Sequence, residues 1–247
     1  MESLPILAAT AGAYLLAGLV KGTIGLGLPT VAIGLLGLMM TPAQAAAILV
    51  LPSLVTNIWQ FTAGGDWLAL LRRLWPLLAG ICIGTFIGAL LLPTGKGGQA
   101  TMWLGVALAL YAAFGLFNVQ FSLPQRAEGW IGLLAGIATG VISVATGVFA
   151  IPGVPYIQAL RFGRDRLVQA LGLSFTVSTV TLALALYHAG EMRMSLALPS
   201  LLALAMAAAG MLLGQIVRGK VREATFRLWF FLGLLGLGLH LALRGIV

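Results

Sequence analysis

Carboxylates are scarce in this chain. Six acidic residues stand against fourteen lysines and arginines, and only 8% of the 247 residues are charged. A soluble domain carries about 25% charged residues. Every acid, namely Glu2, Asp66, Glu128, Asp165, Glu191 and Glu223, falls at the end of an apolar segment or in a loop. A proton-driven carrier uses an intramembrane carboxylate or histidine relay. His188 is the near-membrane candidate, and its place close to a segment end reads as an interfacial polar residue. Cysteine occurs once, as Cys82, which excludes an intrachain disulfide and a metal cluster. No Ser–His–Asp, metal-ligand or paired-acid arrangement is present, so neither an enzyme nor a cofactor is expected. The first residues lack a basic stretch and carry Glu2, unlike a secretory signal peptide.

What fills the chain instead is hydrocarbon. Hydrophobic residues make up 60% of it, in long runs divided by short charged breaks. The pattern predicts a single all-α polytopic transmembrane domain over 1–247. The net charge of +8 lies in loops beside these runs, where it sets topology rather than binding nucleic acid. The lipid bilayer is therefore one partner, and the oligomeric state stays open.

Ten segments are expected: 4–20, 28–40, 43–63, 67–92 and 98–120, then 128–140, 147–160, 167–188, 194–217 and 225–245. The second five repeat the first. LAGLVKGTIG at 16–25 matches LAGIATGVIS at 134–143, and GKGGQATM at 95–102 matches GKVREATF at 219–226. Ser53 and Thr56 fall opposite Ser178 and Thr181, and Pro76 near Pro199. The spacing divides the chain into a repeat over 1–123 and a second over 124–247.

The second segment of each repeat is short and broken. GTIGLGLP precedes only about 12 apolar residues, which as a helix span about 18 Å against a core of about 30 Å. GVISVATGVFAIPGVPY carries several glycines with Pro152 and Pro155. Breaks are expected at Gly22, Gly25, Gly27 and Pro29, and at Gly140, Gly147 and Pro152. Interrupted segments at matching positions of two repeats point to a transporter binding site. Glycines that only let helices pack closely are the structural alternative.

Charge then ranks the topologies. If every segment crosses, Lys21, Arg72, Arg73, Arg126, Arg161, Arg164, Arg166, Arg218, Lys220, Arg222 and Arg227 share one side. Lys96, Arg193 and Arg244 share the other. That scheme has an odd number of crossings per repeat, so the repeats are inverted. The other scheme keeps about eight full spans with two re-entrant pieces and divides the charges less sharply. The positive-inside rule favours up to ten crossings.

Polar side chains inside the runs mark the candidate site. Ser53, Thr56, Asn57 and Gln60 recur at i, i+3, i+4, i+7, one stripe of a helix. An unpaired amide in lipid costs several kcal/mol, so the stripe must face other helices or a wet cavity. Ser174, Ser178, Thr181 and His188 form a matching stripe in the second repeat, with Thr176 and Thr179 on a neighbouring face and Gln169 near the helix start. Serine and threonine can return their proton to their own helix, so the amides of Asn57, Gln60 and Gln169 carry more of the signal. Lys21, just before the first break, could pair with an anion there or snorkel to the interface. Thr23 follows it. The repeat mate of Lys21 is Thr139, which carries no charge. Thr146, Gly147 and Gln158 surround the second break. Its GxG-like glycines lack a flanking strand, which excludes a nucleotide loop.

GLVKGTIGLGLPTVAIGLLGL with PSLVTNIWQ, and TGVFAIPGVPYIQAL with LVQALGLSFTVSTVTLALAL, resemble the sulfite exporter TauE/SafE family of permeases. The resemblance covers essentially the whole chain. It implies a multi-pass protein of the bacterial inner membrane that moves sulfite, organosulfonates or related organic anions. Many members carry a GxGGG-like stretch after the first helix, where this chain has GTIGLGLP and ATGVFAIP. The expected function is a permease for a small anion, with the two breaks and two stripes meeting near the midplane. Export is expected over import. The rival is a membrane scaffold or assembly subunit, in which the stripes are helix-to-helix glue.

Overall fold

In the computed structural model, which describes residues 4–65, 67–92, 98–117 and 122–245, the secondary structure is helical. Glu2, Asp66 and Lys96 lie outside the described residues. The helices are α1 Leu4–Ile24, α2 Leu28–Leu36, α3 Pro42–Thr62, α4 Trp67–Leu91, α5 Gly98–Phe117, α6 Gln125–Thr146, α7 Gly153–Ala159, α8 Arg164–His188, α9 Ala197–Arg218 and α10 Glu223–Arg244. All but α2 and α7 are long and apolar enough to cross a membrane, which makes eight such helices among the described residues. α2 and α7 would each cover less than about 15 Å.

Backbone-to-backbone packing sets the helix directions. A Cβ on Gly18 of α1 would sit 2.3 Å from the carbonyl oxygen of Ala207 in α9, and one on Gly22 equally close to that of Met211. The numbers rise together, so α1 and α9 run parallel. α4 and α6 do the same: a Cβ on Gly84 would lie 2.0 Å from the Ile137 carbonyl oxygen, and one on Gly136 would lie 2.2 Å from that of Leu77. Only small residues allow such approach, which supplies the dispersion contact that lipid cannot provide. Gly22 and Gly140 are therefore packing positions inside helices, and the expectation of breaks there is corrected.

The other two main pairs are antiparallel. Gly105 of α5 meets Ala242 of α10, while Gly98 approaches Gly245. Ser53 of α3 meets Thr179 of α8, while Gly172 lies against Phe61 and Gln169 reaches Gly65. α3 also touches α9, and α8 touches α4.

These directions fix what the short segments do. α1 and α3 point the same way, so residues 25–41 carry the chain back across the bundle. Arg244 at the end of α10 donates to the Leu38 carbonyl oxygen at 2.6 Å, which pins the far end of that return. Residues 147–163 make the opposite journey, and Arg73 at the start of α4 donates to the Leu160 carbonyl oxygen at 3.4 Å. The same directions bring Arg72, Arg73, Arg126, Arg161, Arg164, Arg166, Arg218, Lys220, Arg222 and Arg227 to one end, called the basic end below. Lys21 lies one turn inside it.

The breaks follow their local chemistry. Gly25 and Gly27 have φ of 81° and 102°, in the left-handed region that favours glycine, and they end α1. Pro29 then sits in the first turn of α2, where a missing N–H costs nothing. Gly147, with φ 76°, caps α6, and Pro152 precedes α7. The first break touches Gln60 and Val168 at the basic end, whereas Gly147 lies against Ile33 and Ala46 at the other. They do not meet at the midplane.

Candidate anion site

α3 presents its stripe because its start is firmly set. Thr41 and Gln44 form a reciprocal capping box, with Pro42 at the first helical position. Ser53, Thr56, Asn57 and Gln60 are then all buried on the inner face, while Val55, Ile58 and Trp59 are exposed.

Lys21 lies against this stripe. It is 3% exposed, so it does not snorkel. Its Nζ donates to Thr56 Oγ1 at 3.0 Å and to Asn57 Oδ1. An ammonium has only protons to give, so the Asn57 amide must turn its oxygen to the lysine. Its Nδ2 then donates to Ser53 Oγ at 2.9 Å. The Thr179 proton goes to the Phe175 carbonyl oxygen at 2.7 Å, so Ser53 is the donor in the 3.0 Å Ser53–Thr179 contact. A directed chain of donors runs from α1 through α3 into α8.

Two features remain unused. Lys21 carries three N–H groups, and the third has no acceptor among the described residues. No described carboxylate pairs with it; the Arg73–Glu128 ion pair, at 2.7 Å, lies elsewhere. Gln60 Nε2 donates to the Gly25 carbonyl oxygen at 2.7 Å, tying the first break to α3, while its buried Oε1 receives no donor.

The remaining expected site residues divide. Thr23 is buried but spends its proton on the backbone, 2.8 Å from the Leu19 oxygen and 3.2 Å from that of Gly214. Gln169 Nε2 donates to the carbonyl oxygens of Phe61 and Gly65, at 3.2 and 2.9 Å, and clamps α8 to the end of α3. Ser174 and Ser178 are buried, and Ser178 Oγ has no partner. Thr181 turns to α4, where Thr85 donates to it at 3.3 Å. Thr146 accepts from Val148 N at 3.1 Å and serves the turn after α6. Gln158 is exposed on α7 and joins none of these groups. The second break is filled by Phe149, edge-on to Phe175 at 5.3 Å, so it presents hydrocarbon rather than a polar cradle.

Two residues were undervalued by sequence. Thr179, set on a neighbouring face by its spacing, is the α8 hydroxyl that meets Ser53. Gly172 brings the backbones of α3 and α8 together; a Cβ there would lie 2.7 Å from the Phe61 nitrogen.

Among the described residues, eight membrane-length helices surround a buried polar cluster, which makes a multi-pass membrane protein. Within that class the chain belongs to the sulfite exporter TauE/SafE family, whose profile matches residues 10–241. No curated protein and no solved structure matches the chain.

Proposed function

We propose that this protein is a permease of the bacterial inner membrane that moves a small anion, a sulfur oxyanion such as sulfite or an organosulfonate, outward. The carrying observation is the buried Lys21 ammonium, held by the neutral oxygens of Thr56 and Asn57 with one N–H unspent. A buried cation without a counter-ion costs several kcal/mol. An arriving anion returns that cost as binding energy, yet meets only one full charge, so release remains easy. Asn57, Ser53, Thr56 and Thr179 orient the ammonium rather than neutralise it.

The halves 1–123 and 124–247 are read as inverted copies. α1 on α9 mirrors α6 on α4, while α3 and α5 pair with their own counterparts α8 and α10. Lys21 has only Thr139 as its mate, so the charge belongs to one half.

Export follows from the sign of the charge. A negative-inside potential favours an anion leaving by about 2.3 kcal/mol per charge per 100 mV. Outward movement thus needs no coupling ion. The scaffold reading draws on Ser53–Thr179 and the Gln169 clamp, which do join α3 to α8, but it leaves Lys21 unexplained. The test is flux in liposomes against sulfite, sulfate, thiosulfate, sulfonates and short carboxylates. Saturable movement of a sulfur oxyanion supports the proposal; an inert protein across that panel overturns it.

A further inference from the structure

A cavity of about 460 Å³ opens at the basic end, lined by Thr23, Arg164, Gln215, Arg218, Gly219 and Val221. We infer that it is a second, shallower anion site, which holds a free oxyanion before that solute reaches Lys21.

Its lining is built for negative charge. Arg164 and Arg218 come from different helices, and a guanidinium presents a planar fork of donors that matches an oxyanion. Arg164 is the first residue of α8, so the positive pole of that helix's dipole lies at this cavity. Gln215 contributes an amide. No carboxylate stands in the described lining. Thr23 is a floor rather than a donor, because its proton is already spent on the backbone.

The site is distinct from Lys21. Thr23 and Lys21 are two residues apart on one helix, which turns them about 200° away from each other. Lys21 faces α3, while Thr23 faces α9. A solute passing between them must round the end of α1 at the Gly25–Gly27 break, where Gln60 holds the Gly25 carbonyl.

A lipid phosphate offers the same oxyanion chemistry, but the surroundings favour a free solute. Val221 is the one apolar side chain in the lining. The large apolar groove of α1 lies elsewhere, between Leu16, Leu19, Val31 and Trp229, on the side of α2 and α10.

The inference uses the anion-carrier reading only to say where the solute goes next, so its test needs no flux. Binding of sodium sulfite and sodium sulfate is titrated onto protein in neutral detergent, free of added lipid. The variants are Lys21→Gln, then Lys21→Gln with Arg164→Gln and Arg218→Gln, then the same with Arg→Lys at both positions. The Lys21→Gln protein should keep a saturable, salt-weakened binding step. The double Arg→Gln change should weaken it at least tenfold, and the Arg→Lys pair should restore part of it. An unchanged midpoint in the triple variant overturns the inference. So does binding seen only when phosphatidylglycerol is supplied, which assigns the cavity to a lipid headgroup. A protein that binds in this assay yet moves nothing in liposomes keeps this site and loses the proposed function.

Discussion

Lys21 Nζ donates to Asn57 Oδ1 inside the bundle, 36 residues away in sequence and from the last turn of one helix to the third quarter of another. The lysine thereby fixes the amide, and the amide passes that orientation on to Ser53 and Thr179.

Replacing Lys21 by glutamine removes the charge while keeping a donor of similar length. Hydrogen bonds to charged groups contribute about 1.5–3 kcal/mol, so apparent affinity for the anion should fall roughly ten- to a hundredfold. Thermal stability in detergent should hold or rise, since a buried cation is relieved. Liposome flux at several solute concentrations reads the first effect and a melting curve the second. Wild-type affinity would remove Lys21 from the site.

Asn57→Leu and Gln60→Leu separate binding from glue. Interhelical polar bonds in membranes average only about 0.6 kcal/mol, so neither change should prevent assembly. Asn57→Leu strips Lys21 of an acceptor and should abolish most flux. Gln60→Leu frees Gly25 from α3 and should also slow transport. Normal flux in both would make the α3 stripe packing alone.

Glycine substitutions should follow the contacts rather than the sequence. Gly84→Ala pushes a methyl into the Ile137 carbonyl and should cost about 1–3 kcal/mol, read as a lower melting temperature. Gly12→Ala, with open space around it, should be neutral or slightly stabilising. Equal melting of the two variants would contradict the parallel α4–α6 contact.

The positive-inside rule puts the basic end in the cytoplasm. In a Cys82→Ser background, a cysteine at Met194, which is 89% exposed, should react with an impermeant thiol reagent in intact cells. Cysteines in the 161–166 and 218–222 loops should react only after lysis. Surface labelling of both loops would reverse the orientation.

The long helices were legible because each holds a largely apolar stretch of membrane length. The breaks at Gly25–Gly27 and Gly147–Pro152 were legible from glycine and proline alone. Gly22 and Gly140 looked alike in sequence, but a close-packed glycine and a left-handed one differ only in what surrounds them. Spacing likewise found the inner face of α3, since periodicity reports which side chains share a face. It does not report what that face meets. Lys21 against Asn57, and Thr179 rather than Ser178 against Ser53, depend on how α1, α3 and α8 cross. Gln158 lies apart from the cluster because nearness to a break in the chain says nothing about which way a short helix turns.

The parallel contact of α1 with α9 has a consequence for biogenesis. Gly18 and Gly22 find their partners in Ala207 and Met211, roughly 190 residues later. At a synthesis rate of about 5–20 residues per second, α1 waits some ten seconds or more in the bilayer with its small-residue face bare. Until the penultimate helix arrives, α1 is held in the first half by α2 and by its bonds to α3, while its glycine face stays open to insertases and quality-control proteases.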